Sequence, residues 1–401
     1  MQPLPIIAST YTTCLGQGLA ANLQALRAGR SGLVPCAFET VRLDTWIGVV
    51  DGVDDVRLPA TLAAYDCRNN RLALLGLETD GFAQRVRGAI RRYGAERVGV
   101  FMGTSTSGIF ETEIAYRHRD PATGALPVSL NYGGSHNPFS VADFTRQVLG
   151  AAGMALTIST ACSSSAKVFA AAARQIARGI IDAAVVGGVD SLCLTTLYGF
   201  SSLQLTSARA AKPYDATRDG ISIGEGAAFA LLERPDDTTA AGEAQAWLLG
   251  MGESSDAYHM SAPHPEGLGA RMAMAAALAS AGLTPADIGY INLHGTATPA
   301  NDAAEGRAVA ALFGRQQVPC SSTKGATGHT LGAAGAIEAI IAMQSIAEDW
   351  VPGSPGTDAV DPAMAIDYRC VGQDAPVRIA LSNSFGFGGS NCALVLGGRA
   401  A

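Results

Sequence analysis

Two stretches, "STACSSSAKVFAAAA" (159–173) and "STKGATGHTLGAAGAIEA" (322–339), decide how the chain is read. Each is a turn of small residues that runs into an alanine-rich helix. The flanking segments repeat as well. "VGVFMGTSTSG" (98–108) and "IGYINLHGTATP" (288–299) both give an apolar strand followed by Gly-Thr-small-Thr. "GEGAAFALLE" (224–233) and "GFGGSNCALVLG" (386–397) both give a glycine-rich turn feeding an apolar strand. A pattern repeated in order implies duplication and a pseudo-twofold core. The polar stretch "RPDDTTAAGEAQ" (234–245) is the expected divide, giving halves 1–240 and 241–401.

Short apolar runs at 97–103, 182–188, 227–233, 289–295, 377–383 and 391–397 read as buried strands. Helix-like stretches lie between them, at 171–179, 271–282 and 333–348. Strands alternating with helices imply an α/β fold with a largely parallel, buried sheet. The 401 residues suffice for one large domain or two halves. With 48% hydrophobic residues, 16% charged residues and 47 glycines, the chain is globular and its backbones approach closely.

The net charge of −7, with no dense Lys/Arg run, argues against nucleic acid as a partner. No apolar run approaches the length of a membrane span, and the first 20 residues lack a basic n-region, so a cytoplasmic setting is expected. Eight cysteines without CxxC or a Cys/His cluster argue against structural zinc and a disulfide framework. Seven of them, Cys14, Cys36, Cys67, Cys193, Cys320, Cys370 and Cys392, read as small packed hydrophobes.

Cys162 is different. Its neighbours are too small to bury the sulfur, and a helix begins just after it. Unpaired N–H groups there favour a thiolate. His294 stands at a strand end before Gly295. Alone, such a histidine is as well explained by packing. Lys324 and His329 share a glycine-rich turn that lacks the spacing of a nucleotide cradle. Phe385 and Phe387 lie in "NSFGFGGSN" (383–391), a loop able to present an N–H to an oxyanion. A thiol with imidazoles means covalent acyl transfer. Two histidines with no water-activating carboxylate suit stabilisation of an enolate.

On "STACSSS", "KPYDATRDGISIGEGAAFALLE" (212–233), "SSDAYHMSAPHPEG" (254–267), "HGTATPANDAAE" (294–305), "STKGATGHTLGAAGAIE" (322–338) and "NSFGFGGSN", the chain resembles the β-ketoacyl-acyl carrier protein synthases of type I/II. These are condensing enzymes, and His329 points to their Cys-His-His branch. The resemblance implies a thiolase-like fold, two duplicated α/β halves in a layered α-β-α-β-α core. It implies decarboxylative condensation of an acyl group on Cys162 with malonyl-acyl carrier protein. Cys162 and Phe387 would supply the oxyanion hole. His294 and His329 would hold the malonyl thioester, Lys324 would tune the second histidine, and Glu338 would support that network. Thr296, Thr298, Asp256, His259 and Phe387 would line the substrate tunnel, with Phe387 as its gate.

No metal or nucleotide is implied, since the substrates carry their own 4'-phosphopantetheine. The expected partners are an acidic acyl carrier protein, docked on Arg68, Arg71, Arg209 and Lys212, and a second subunit. A homodimer is expected, with a heterodimer as the alternative. Ala297, Asn301 and Gly325 depart from the usual family spelling, which fits a specialised polyene or polyketide synthase as well as a fatty-acid one. Two other readings compete: a non-catalytic chain-length subunit and a degradative thiolase.

Overall fold

The computed structural model describes residues 1–235, 240–314 and 317–398. Ten strands build its centre. The first five are β1 (Leu4–Thr13), β2 (Val98–Gly103), β3 (Ala155–Ile158), β4 (Ala183–Asp190) and β5 (Gly226–Glu233). The next five are β6 (Ala246–Ser255), β7 (Tyr290–Asn292), β8 (Pro319–Ser321), β9 (Ile379–Gly386) and β10 (Ser390–Gly397). Every residue of β4 and β5 is buried, as apolar runs without alternation require when both faces are covered.

The spatial order is β8-β7-β9-β10-β6-β1-β5-β4-β2-β3, with the two-residue strand Asp367–Tyr368 outside β8. Leu4–Ile6 pairs antiparallel with Ala246–Leu248, and this junction is the centre of a repeat. Outward from β1 the pairings run antiparallel, antiparallel, parallel, parallel. Outward from β6 they run the same way. The echo in the sequence is therefore an echo in topology.

The expectation of a largely parallel sheet is corrected: the sheet is evenly mixed. Parallel neighbours need a crossover, whereas the short glycine turn between β9 and β10 makes them a hairpin. Four of the ten strands, β1, β3, β6 and β8, lie outside those six apolar runs. β1 is buried throughout yet carries four Ser/Thr residues and a Tyr, and β6 is interrupted by Gly250 and Gly252 and alternates buried with half-buried positions over most of its length. The expected divide at 234–245 falls partly outside the described residues, at 236–239.

Seven helices make the layers. α1 (Arg68–Leu77), α2 (Phe82–Tyr93) and α3 (Phe139–Leu149) cover the outer face of the first half. α5 (Leu268–Ala281) and α6 (Pro299–Phe313) cover that of the second. α4 (Ser164–Ala177) and α7 (Ala334–Ala347) lie between the two halves of the sheet, and α7 touches strands of both. The result is the layered α-β-α-β-α core of a thiolase-like fold. α7 is apolar nearly all round, as a helix in a middle layer must be.

Small residues allow this layer to close. A Cβ added to Gly335 would lie 2.6 Å from the Ala166 nitrogen and 2.8 Å from the Ala166 Cβ. Gly335→Val is therefore expected to lower the unfolding free energy by about 2 kcal/mol or more through overpacking. The urea midpoint measures this, with Gly199→Ala as the control, since nothing lies within 4 Å of that position. A Gly335→Val midpoint equal to the parent's contradicts the contact.

Candidate active site

The turn after β3 explains the serines around the cysteine. Ala161 adopts φ +53°, a left-handed conformation that costs an L-residue about 1–2 kcal/mol. The Ser163 hydroxyl donates to the Thr160 carbonyl at 2.9 Å. The Ser164 hydroxyl accepts from the Thr160 N–H at 2.9 Å and donates to the Ala161 carbonyl. These hydroxyls hold the strained turn and start α4 at Ser164. Cys162 sits just before the helix, as its sequence suggests.

His329 Nε2 lies 3.0 Å from the Cys162 sulfur. The second-half turn that carries it is clamped by "ISIGEG" of the first half. The His329 N–H donates to the Ser222 carbonyl at 2.7 Å, and the Gly224 N–H donates to the His329 carbonyl at 3.0 Å. A Cβ at Gly224 would sit 2.3 Å from the Thr327 carbonyl oxygen, so only glycine fits.

His294 follows β7, and its ring centroid is 5.3 Å from that of His329 at 83°. Glu305 on α6 accepts from the N–H groups of His294 and Gly295, both at 2.8 Å. Asn383 and Tyr214 donate to the same carboxylate, at 3.0 and 3.2 Å. Lys324 is buried. Its ammonium donates to the His294 carbonyl at 2.5 Å, ion-pairs with Glu338, and reaches His294 Nδ1 at 3.4 Å. An ammonium has no acceptor, so Nδ1 accepts and the ring proton sits on Nε2.

The donor atoms of Cys162, His294 and His329 all lie within 4.8 Å of one another. That spacing could also ligate a thiophilic metal ion.

Burial governs the charges. It pushes the Cys162 thiol up to about 12, against the opposing pull of the Lys324 ammonium and the Phe387 N–H aimed at the sulfur. Burial also drives His294 and His329 well below the usual imidazole range, and the Lys324 charge adds to this. Glu338 is pushed up to about 7 by burial, with Lys324 opposing. The expected resting thiolate is thus corrected. Cys162 is only 5% exposed, and loss of water outweighs the helix start. Thiol and imidazoles rest neutral, and each neutral ring keeps one N–H to donate.

A narrow cavity of about 60 Å³ opens over these groups, lined also by Thr296, Thr298, Asp256 and Phe387. An acyl chain therefore needs something to move. Phe387 packs on Phe200 at 5.5 Å and is followed by Gly388 and Gly389, both at positive φ. Asp256 braces this loop through Asn391 at 3.0 Å. Thr298 lines the cavity and caps α6.

Several expected residues lie elsewhere. His259 does not line the cavity; it is exposed, and its Nδ1 accepts from the Ser261 N–H at 3.2 Å. Arg68 is no docking residue. It is buried and forks onto buried Glu225 at 2.9 and 2.7 Å, because that carboxylate needs a counter-charge. Arg71 forks onto Asp66 at 2.6 and 2.8 Å, and Lys212 pairs with Asp358. Arg209 stays 59% exposed, donating to the Thr217 carbonyl at 3.4 Å and lying 3.8 Å from Asp219. Glu305, Glu225 and Asp302, which accepts from the Tyr214 N–H at 2.8 Å, were missed as organising groups. Two acids three apart on the alanine-rich start of α6 were the available signal.

Comparison with known proteins follows the same lines. The family models for beta-ketoacyl synthase, N-terminal domain and C-terminal domain, match residues 72–238 and 245–358. A 3-oxoacyl-[acyl-carrier-protein] synthase 2 of Vibrio cholerae is 33% identical over 404 residues, covering 95% of each chain. A chain from the structure of a ketosynthase in complex with its chain length factor, from Xenorhabdus doucetiae, superposes with TM-score 0.88. It is 37% identical and covers 99% of this chain and 98% of that one. The ishigamide ketosynthase/chain length factor gives 0.89 at 26% identity, covering 99% of each.

A thiol that titrates near 12 has a testable signature. Alkylation of Cys162 by iodoacetamide should climb about tenfold per pH unit from pH 6 to 9, following the thiolate fraction. Quenched mass spectrometry reads the rate. A plateau below pH 8 contradicts the neutral resting state.

Proposed function

The chain belongs to the beta-ketoacyl synthase family, and from that premise we propose that its own Cys162, His294 and His329 carry out the condensation. The observation that carries this is the 3.0 Å approach of His329 Nε2 to the Cys162 sulfur, with the neutral His294 ring beside it.

The sulfur attacks an acyl-carrier thioester, the carrier thiol leaves with the cysteine's proton, and the chain rests on Cys162. The N–H groups of Cys162 and Phe387 face the oxyanion in that step. Malonyl-carrier then enters. His294 and His329 donate to its thioester carbonyl, carbon dioxide leaves, and the two donors hold the enolate oxygen. The enolate carbon attacks the acyl-cysteine carbonyl, the sulfur leaves as thiolate and takes a proton from solvent, and a β-ketoacyl-carrier two carbons longer is released. Lys324, fixed by Glu338, keeps the His294 proton on Nε2. Thr296, Thr298 and Asp256 flank the incoming arm, and Phe387 gates it. This chemistry calls on no cofactor beyond the phosphopantetheine of the carrier.

The competing readings have less behind them. A non-catalytic chain-length subunit has no use for the assembled cysteine and histidines. A thiolase needs a second cysteine in the cavity, yet Cys392 is buried in β10 and Cys370 lies outside the lining.

We further propose a second subunit, either a copy of this chain or a related one. The solved ketosynthases with chain length factors support such a pairing. Exposed Met154, just before β3, and exposed Phe139, at the start of the helix α3 that packs on β3, are its suggested seat. The halves 1–240 and 241–401 are taken as products of one duplication. No described helix is long and apolar enough to cross a membrane, and a cytoplasmic setting is proposed.

Two measurements test this. With hexanoyl- and malonyl-carrier, Cys162→Ala should show no acyl adduct by intact mass and no product. His294→Ala should keep the adduct but lose about 10²–10³ in malonyl decarboxylation. An adduct persisting in Cys162→Ala refutes the proposal. Arg209→Glu is expected to raise the KM for acyl-carrier severalfold while leaving kcat in place, because a rim charge acts on encounter. An unchanged KM removes Arg209 from the carrier's footprint.

A further inference from the structure

The end of β4 carries Asp190, a fully buried carboxylate outside the cavity lining. Its partners are neutral groups from two separate segments. Oδ1 accepts from the Thr104 and Thr106 hydroxyls, both at 2.7 Å, and from the Ser105 and Thr106 N–H groups, both at 2.8 Å. Oδ2 accepts from the Gly332 N–H, three residues beyond His329. The first segment also backs the nucleophile, since the Ser105 hydroxyl donates to the Ala161 carbonyl at 3.4 Å. Both sides are strained. Ala161 beside Cys162 and Leu331 beside Gly332 hold φ +53° and +50°. Such conformations persist only where surrounding contacts enforce them.

We propose that Asp190 is a positioning residue for condensation: it ties the turn carrying His329 to the loop behind Cys162 and so sets the imidazole–sulfur distance. The inference rests on reading that pair as the condensing centre. A carboxylate is needed because donors approach both oxygens. An amide at this position must present its oxygen to the four donors on the Oδ1 side. Its NH₂ then faces the Gly332 N–H, donor against donor, and the turn is released. Asp190 also sits close enough to disfavour the Cys162 thiolate by its charge.

Asp190→Asn separates positioning from mere support. With hexanoyl- and malonyl-carrier, kcat should fall tenfold or more, since a displacement of about 1 Å can cost roughly 10²-fold, while KM for malonyl-carrier stays in place. Iodoacetamide should alkylate Cys162 faster at pH 8 than in the parent while buried Cys320 and Cys392 stay unmodified, whereas loss of folding would expose all three together. An unchanged kcat overturns the proposal. So does a kcat loss that only tracks the folded fraction seen by circular dichroism. If Asp190→Asn does not fold, the isosteric Thr104→Val decides: a lower kcat at constant KM supports the tie, and an unchanged kcat overturns it. If the parent itself forms no β-ketoacyl product, the condensing reading fails, and the alkylation arm still tests the tie.

Discussion

The molecule turns on the contact between α4 and α7, where Gly335 meets Ala166 at a distance no side chain could occupy. Both helices begin at this crossing. The turn into α4 carries Cys162, and the turn into α7 carries His329. Any larger residue at the crossing would part the two turns and open the 3.0 Å approach between sulfur and imidazole. The abundance of glycine and alanine thus has a mechanical purpose. It lets two halves of one chain share a single helical layer, and Cys162 and His329 meet where the halves join.

Burial is the second constraint, and it acts on charge. Each buried acid is given fixed donors or a counter-charge. Glu305 takes two backbone N–H groups, Glu225 takes the fork of Arg68, and Glu338 takes Lys324. The same dryness holds the thiol and both imidazoles neutral. Oriented donors in a site without bulk water stabilise a developing oxyanion well, because they need no reorganisation when it forms. A site that kept a standing thiolate would compete for those donors at rest. The left-handed residues Ala161, Ala297 and Leu331, one near each reacting side chain, show that local strain is accepted to aim the groups.

Much of this was legible in the chain. The repeated order of strand, Gly-Thr turn, small-residue turn and alanine-rich helix told of duplication, and the strand order repeats about the β1–β6 junction. Cys162, His294, Lys324 and His329 each stood on a turn of small residues, and the fold brings those four together. Strand direction was less legible. Period and hydrophobicity describe what a strand buries, not which neighbour it pairs with, so the antiparallel half of the sheet was hidden. Strand β1 was hidden for another reason, because its buried hydroxyls read as polar.

Local chemistry by itself therefore pointed to the repeat and to the four side chains that the fold brings together, since turns, helix starts and apolar runs depend on near neighbours in sequence. Burial was decided only by the tertiary structure. It turned Arg68 from a surface charge into a core pin, left His259 outside the cavity, and made Cys162 a neutral thiol. Solvation of a charge depends on everything packed around it, and that packing comes from residues far apart in the chain.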